Sequence, residues 1–153
     1  MIDIDISDQQ DDIAFSVESV KRVVLFVLQA EGVRPDEVAV HFVSDQAMIA
    51  LHETYFGSAT PTDCISLPLD RERVAGYQHL GEVWVCPREA QRYVERGSGD
   101  VYQELTLYVI HGLLHLLGYD DTSETTRACM ERTQLALLQD LTTHHLLITK
   151  TKK

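Results

Sequence analysis

Apolar and acidic positions alternate from the first residues of the chain. MIDIDI (residues 1–6) puts its two kinds of side chain on opposite faces, the pattern of a half-exposed strand. The acidic DQQDD that follows reads as a solvated turn. From Ser16 the period lengthens: VESVKRVVLFVLQAEG predicts a helix with Ser16 as N-cap and Gly32 as its stop, apolar enough to be largely buried. Pro35-Asp36 breaks the chain before EVAVHFV, a β-branched alternating run that reads as a strand, with His41 inside it as a structural histidine. Ser44 or Asp45 caps a short helix, DQAMIALHETYF, that Gly57 ends. DCISLPL reads as a buried strand ending at Pro68, and residues 70–79 read as a loop. LGEVWVCP is another strand, with Val83 and Val85 on one face and Glu82, Trp84 and Cys86 on the other.

Two helices follow. PREAQRYVERG starts with Pro87 in its first turn and lines up Arg88, Arg92 and Arg96 in one stripe. Asp100 then caps a helix over 101–117 that Gly118 stops, with Gln103 at capping-box spacing. At about 100° per residue, Leu105, Val109, Leu113 and Leu116 form its core face. Strands and helices are mixed without regular βαβ alternation, which predicts an α+β fold: a small mixed β-sheet packed with helices. Residues 1–141 read as a single domain, and 142–153 as a flexible C-terminal tail. His144 and His145 are adjacent, cannot share a helix face, and belong to that tail.

Composition narrows the function. A chain of 153 residues with 44% hydrophobic content can build a core without staples. No apolar run approaches the length of a membrane span, and the acidic N-terminus lacks the blocks of a signal peptide. A cytoplasmic location is expected, with no membrane partner. Three scattered cysteines, Cys64, Cys86 and Cys129, form neither a disulfide framework nor a CxxC site. The formal charge of −11 excludes broad, nonspecific nucleic-acid binding, and no DNA partner is expected. Pro35 to Asp70 holds no Lys or Arg, whereas cations gather at Arg71/Arg73, along Arg88/Arg92/Arg96 and at the C-terminus.

The chemistry concentrates in HGLLHLLGYDD, His111 to Asp121. His111 and His115 are one helical turn apart and project side by side, with Glu104 and Tyr108 as pocket walls in earlier turns. Gly118 breaks the helix three residues after His115 and returns the chain, so that Asp121 reaches the position of a third ligand. The spacing matches the long zincin motif HExxHxxGxxH, and three N/O ligands with an open position suit a catalytic zinc. Gly112 stands where a peptidase carries its general-base Glu, which argues against proteolysis. Asp121 replaces a histidine, and a carboxylate there favours harder ions such as Mn²⁺.

With these residues in view, the chain resembles the YbeY family of metal-dependent endoribonucleases that act in ribosomal RNA maturation. The family pattern HGxLHLxGYDH is matched up to its last residue. PTDCISLPLD (61–70) is similar to the family's PTDVLSFP, and LGEVWVCP (80–87) to its LGDIxIxP. The resemblance implies a zincin-like metal-site helix and a Zn²⁺ ion, with Mn²⁺ or another divalent ion as the variant. It implies metal ligation by His111, His115 and Asp121, and attack of an activated water on an RNA phosphodiester. Its implied partners are ribosomal RNA and the small ribosomal subunit. One further departure stands out: the family's Tyr-Arg-Gly segment is Tyr55-Phe56-Gly57 here. Arg71, Arg73 and the Arg88/Arg92/Arg96 stripe are the candidates to supply the missing cation to RNA, and Glu82 is a candidate general base. The competing readings are another metal-dependent hydrolase, and a ribosome-assembly factor whose metal is structural.

Overall fold

The computed structural model describes residues 1–97 and 99–150. The elements run β1 (Asp3–Gln9), α1 (Val17–Ala30), β2 (Glu37–Val43), α2 (Asp45–Phe56), β3 (Cys64–Pro68), β4 (His79–Val85), α3 (Pro87–Arg96), α4 (Val101–Leu116) and α5 (Glu124–Thr143). The strands form one sheet in the order β1-β2-β4-β3. The first three are parallel, and β3 closes the sheet antiparallel to β4. This is the expected α+β architecture with a small mixed sheet. β3 differs from its sequence reading: it is an edge strand, with only Ile65 fully buried. That edge frames the site.

The period of two decides which strand face is covered. Ile4 and Ile6 of β1, Val38, Val40 and Phe42 of β2, and Leu80, Val83 and Val85 of β4 all join the main core. Helices α1 and α4 supply the facing layer. Val20, Val23, Val24, Val27 and Leu28 of α1, and Leu105, Val109, Ile110, Leu113 and Leu114 of α4, are fully enclosed. Each such side chain contributes roughly 1.5–3 kcal/mol of burial, so α4 is fixed as the central helix. A smaller cluster of Val43, Met48, Ile65 and Cys86, with Trp84 against it, seats α2 on the opposite face of the sheet.

Two corrections follow from the packing. The tail is not frayed over its described part. Ile148 is buried in the main core, and Leu146 and Leu147 pack against it. The Ile148 N–H donates to Thr106 Oγ1 at 3.0 Å, the Thr149 N–H donates to Ser19 Oγ at 3.1 Å, and the Ser16 N–H donates to the Thr149 carbonyl at 2.8 Å. Ser19 and Thr106 are the two buried polar residues of the described core. The two hydroxyls already donate within their own helices, Ser19 to the Ser16 carbonyl and Thr106 to the Tyr102 carbonyl, and the segment's N–H groups use their remaining acceptor capacity. Residues 151–153 lie outside the described residues.

Glu82 is the second correction. It is on the sheet face away from α4, where it pairs with His41 Nε2 at 2.7 Å. The other nitrogen of His41 meets Ser7 Oγ at 2.7 Å, and its ring stacks on Trp84. Beyond a register shift between His79 and Glu82, alternation over Glu82–Val85 puts Val83 against Gly112 of α4 and so turns Glu82 away from it.

Candidate metal centre

α4 begins at Asp100, whose carboxylate accepts from the N–H groups of Tyr102 and Gln103. It ends where the Gly118 backbone turns with φ of +98°, a conformation that glycine adopts without a Cβ penalty. That turn brings Tyr119 to Asp121 back along the helix. His111, His115 and Asp121 converge, with one potential ligand atom from each lying within 4.8 Å of the others. The group opens into a cleft of about 500 Å³, lined also by Phe56, Thr62, Asp63, Cys64, Ser66 and Pro68. The α2–β3 loop and edge strand β3 form one wall, and α4 forms the other.

The hydrogen bonds around the two imidazoles fix their tautomers. His111 Nδ1–H donates to Gln134 Oε1 of α5 at 2.8 Å. His115 Nδ1–H donates to the Tyr119 carbonyl at 3.2 Å. Both acceptors lack a proton to give, so each ring carries a hydrogen on Nδ1, and in the neutral imidazole that leaves the lone pair on Nε2. The two Nε2 atoms face each other at 3.1 Å, and Asp121 Oδ2 is 3.5 Å from His115 Nε2. Two lone pairs beside a carboxylate call for a cation between them. The gap is less than twice a zinc–nitrogen bond of roughly 2.0–2.1 Å. The donor set therefore fits a divalent ion. Asp120 is turned elsewhere, its carboxylate held by the Thr122 N–H at 2.9 Å and the Thr122 hydroxyl at 2.7 Å, which keeps it below the usual carboxylate range.

Gly112 has a packing reason. A Cβ there would approach Val83 Cγ1 to 2.4 Å and Cys64 Sγ to 2.7 Å, so the helix lies directly on β3 and β4. Ser66 Oγ donates to the Gly112 carbonyl at 2.8 Å and pins this contact. A glutamate has no room at 112. Cys64 lies beneath the helix, half-buried, and borders the cleft; burial pushes its thiol up, which disfavours the thiolate.

Asp63 carries chemistry that the sequence reading passed over. It lines the metal cleft and also an adjoining pocket with Glu104, Tyr108, His111, Gln134 and Tyr93. Desolvation at the cleft wall raises its carboxyl above the usual range, with His111 opposing the rise, although the residue as a whole is exposed. Glu104 is raised likewise, first by burial and then by Asp63. Glu104 and Tyr108 thus sit beside the site as their helical spacing predicts.

A family model described as Endoribonuclease YbeY matches residues 4–142. The chain belongs to the YbeY endoribonuclease family. By family it is a hydrolase that cuts RNA internally. A protein named Endoribonuclease YbeY from Protochlamydia amoebophila is 42% identical over 132 residues, covering 86% of this chain and 88% of that one. One of the same name from Chlamydia trachomatis serovar D is 37% identical over 145 residues, covering 94% and 90%. The solution structure of TM1509 from Thermotoga maritima aligns with a TM-score of 0.61 at 25% identity over 94% of each chain.

The arginines singled out from sequence are not gathered at this YbeY cleft. Arg92 is clamped between Asp45 and Glu89, and Arg88 reaches Gln91 and Glu95. Arg96 donates to the Arg92 carbonyl. Arg73 pairs with Asp36 at 2.5 Å and reaches the carbonyls of Arg34 and Gly76. These side chains pair with neighbouring groups of the chain, and none of the four lines the cleft. Arg71 lies against the turn that carries Asp121, its Nη1 3.7 Å from where a Cβ on Gly118 would stand. Gln134 and Asp63 were missed for different reasons. Gln134 comes from α5, which carries no motif. Asp63 sits in a segment whose family likeness marked it without giving it a task.

Proposed function

We propose that the cleft hydrolyses RNA phosphodiester bonds in maturing ribosomal RNA, in the cytoplasm and in company with the small ribosomal subunit. A single Zn²⁺ per chain would be held by His111, His115 and Asp121, with Mn²⁺ or another divalent ion compatible with the carboxylate. The observation that carries this reading is the pair of outward Nε2 lone pairs meeting beside Asp121 in a chain of an endoribonuclease family. When bound, the ion would lower the pKa of a water and polarise a phosphoryl oxygen.

The chain's own residues do the rest. Gln134 and the Tyr119 carbonyl hold the imidazoles in the ligating tautomer, and such outer partners raise ligand basicity. Asp121 offsets one unit of metal charge. Asp63, with its raised carboxyl on the cleft wall, takes the proton that Gly112 has no side chain to accept. Arg71 is a cation beside the site turn. No described helix is long and apolar enough to cross a membrane, in keeping with substrate reached from water.

Purified protein incubated with a ribosomal RNA precursor fragment, beside a peptide library, tests the reading. Wild type is expected to cut the RNA and spare the peptides, and folded His111→Ala to cut neither. Undiminished RNA cleavage by His111→Ala would sink the proposal. A His111→Ala chain that fails to fold would favour a structural metal in an assembly factor.

A further inference from the structure

The cleft that holds the two histidines is lined by an aromatic ring, Phe56, and by no Lys or Arg among the described residues. Phe56 is the last residue of α2, and Gly57 stops the helix in the left-handed region, its N–H donating to the Glu53 carbonyl at 2.9 Å. Phe56 is 60% exposed, yet it lines the same cleft as His111, His115 and Asp121. It is also held in place. The His52 ring, one turn back on α2, leans on it with centroids 5.5 Å apart and planes at 55°. His52 Nδ1–H donates in turn to the Thr60 carbonyl at 2.8 Å, which ties this pair of rings to the loop leading into β3.

The surrounding charge says what such a ring can bind. No Lys or Arg occurs between Pro35 and Asp70, and the nearest charged groups of the cleft are the carboxylates of Asp63 and Asp121. A phosphate has nothing to pair with on this rim and would be repelled by it. The flat face of a nucleobase carries no charge, and base–aromatic stacking is indifferent to that acidity. A braced, solvent-facing ring across a 500 Å³ cleft from a phosphate-directed metal group is placed to take the base next to the reacting phosphate.

We propose that Phe56, backed by His52, is a base-stacking platform that positions the nucleotide flanking the scissile phosphate. This rests on RNA being the substrate. Phe56 acts on the position of the substrate, not on the bond that breaks. Phe56→Trp should keep the platform, and Phe56→Leu should keep apolar bulk while removing the π-face.

The test is the fluorescence anisotropy of labelled RNA heptamers bound to the full chain in chelator, which removes cleavage from the readout. Phe56→Leu is expected to weaken binding about 5- to 100-fold, as loss of one stacked base implies, with Phe56→Trp equal to or tighter than wild type. A heptamer with one abasic nucleotide at the stacked position should bind wild type and Phe56→Leu equally. Equal affinity of wild type and Phe56→Leu for the intact heptamer overturns the platform. So does a Phe56→Trp as weak as Phe56→Leu, or an abasic penalty of the same size in both proteins. If wild type still cuts RNA with added Zn²⁺ in those cases, only the platform falls. If wild type neither binds nor cuts RNA, the reading beneath it falls too.

Discussion

At the scale of single residues, the three candidate ligands rest on one supporting side chain and one missing one. Gly112 is the missing one: the helix can lie on β3 and β4 only because position 112 has no Cβ to strike Val83 and Cys64. Gly112→Ala should therefore lower stability by about 1–3 kcal/mol, the usual range for overpacking a fitted contact, seen as a lower midpoint in urea. An unchanged midpoint would mean that the helix–sheet contact yields freely. Gln134 works from outside the ligand set by fixing the His111 tautomer. Gln134→Leu should weaken metal affinity by about 10- to 100-fold in competition with a chromophoric chelator, and equal affinity would remove it from the site. His111, His115, Gly118 and Asp121 were legible because local spacing along one helix and its turn determines where they meet. Gln134 was not, because its role is set by the docking of a distant helix and leaves no local trace.

At the scale of elements, alternation and capping residues found every strand and the first four helices. Ser16, Ser44 and Asp100 cap the helices that they were expected to cap. The errors came from tertiary context. β3 looks buried by composition but is an edge strand, half covered because the cleft opens beside it. The tail looks polar by its lysines, yet Leu146, Leu147 and Ile148 had already carried an apolar signal, and the hydroxyls of Ser19 and Thr106 give their backbone a place to bond. The arginine stripe of α3 shows the same limit, since Asp45, its main partner, is on another helix. The Arg92 guanidinium, aided by burial-opposed but net favourable contacts, holds the Asp45 carboxyl below the usual range. A depressed carboxyl contributes stability that is present above its unfolded pKa and lost as pH falls through the folded one. Asp45→Asn should therefore cost roughly 1 kcal/mol at pH 7 and flatten the loss of stability below about pH 4. Parallel acid-unfolding curves for the two proteins would show that the pair contributes nothing.

At the scale of the whole molecule, one sheet face and two helices build a rigid seat, and the functional cleft is left at the open edge. α4 is the centre of the core and carries two of the three candidate ligands, His111 and His115, while Asp121 follows on the turn beyond it. The acidic balance of the chain fits a surface that does not hold RNA by charge at large and leaves recognition to the cleft. That division was visible in the formal charge of −11 before any geometry. What the charge did not show is how thoroughly Arg73, Arg88 and Arg92 are engaged within the fold. The account stands on a metal held by His111, His115 and Asp121 and needed for cleavage. The direct measurement is RNA cleavage by chelator-stripped protein as Zn²⁺ is added, for wild type and for Asp121→Ala. The stripped chain should not cut RNA and should recover fully at one ion per chain. Asp121→Ala should show at least a tenfold higher Zn²⁺ requirement. Full cleavage by the stripped chain, or the same Zn²⁺ requirement in both proteins, would contradict the account.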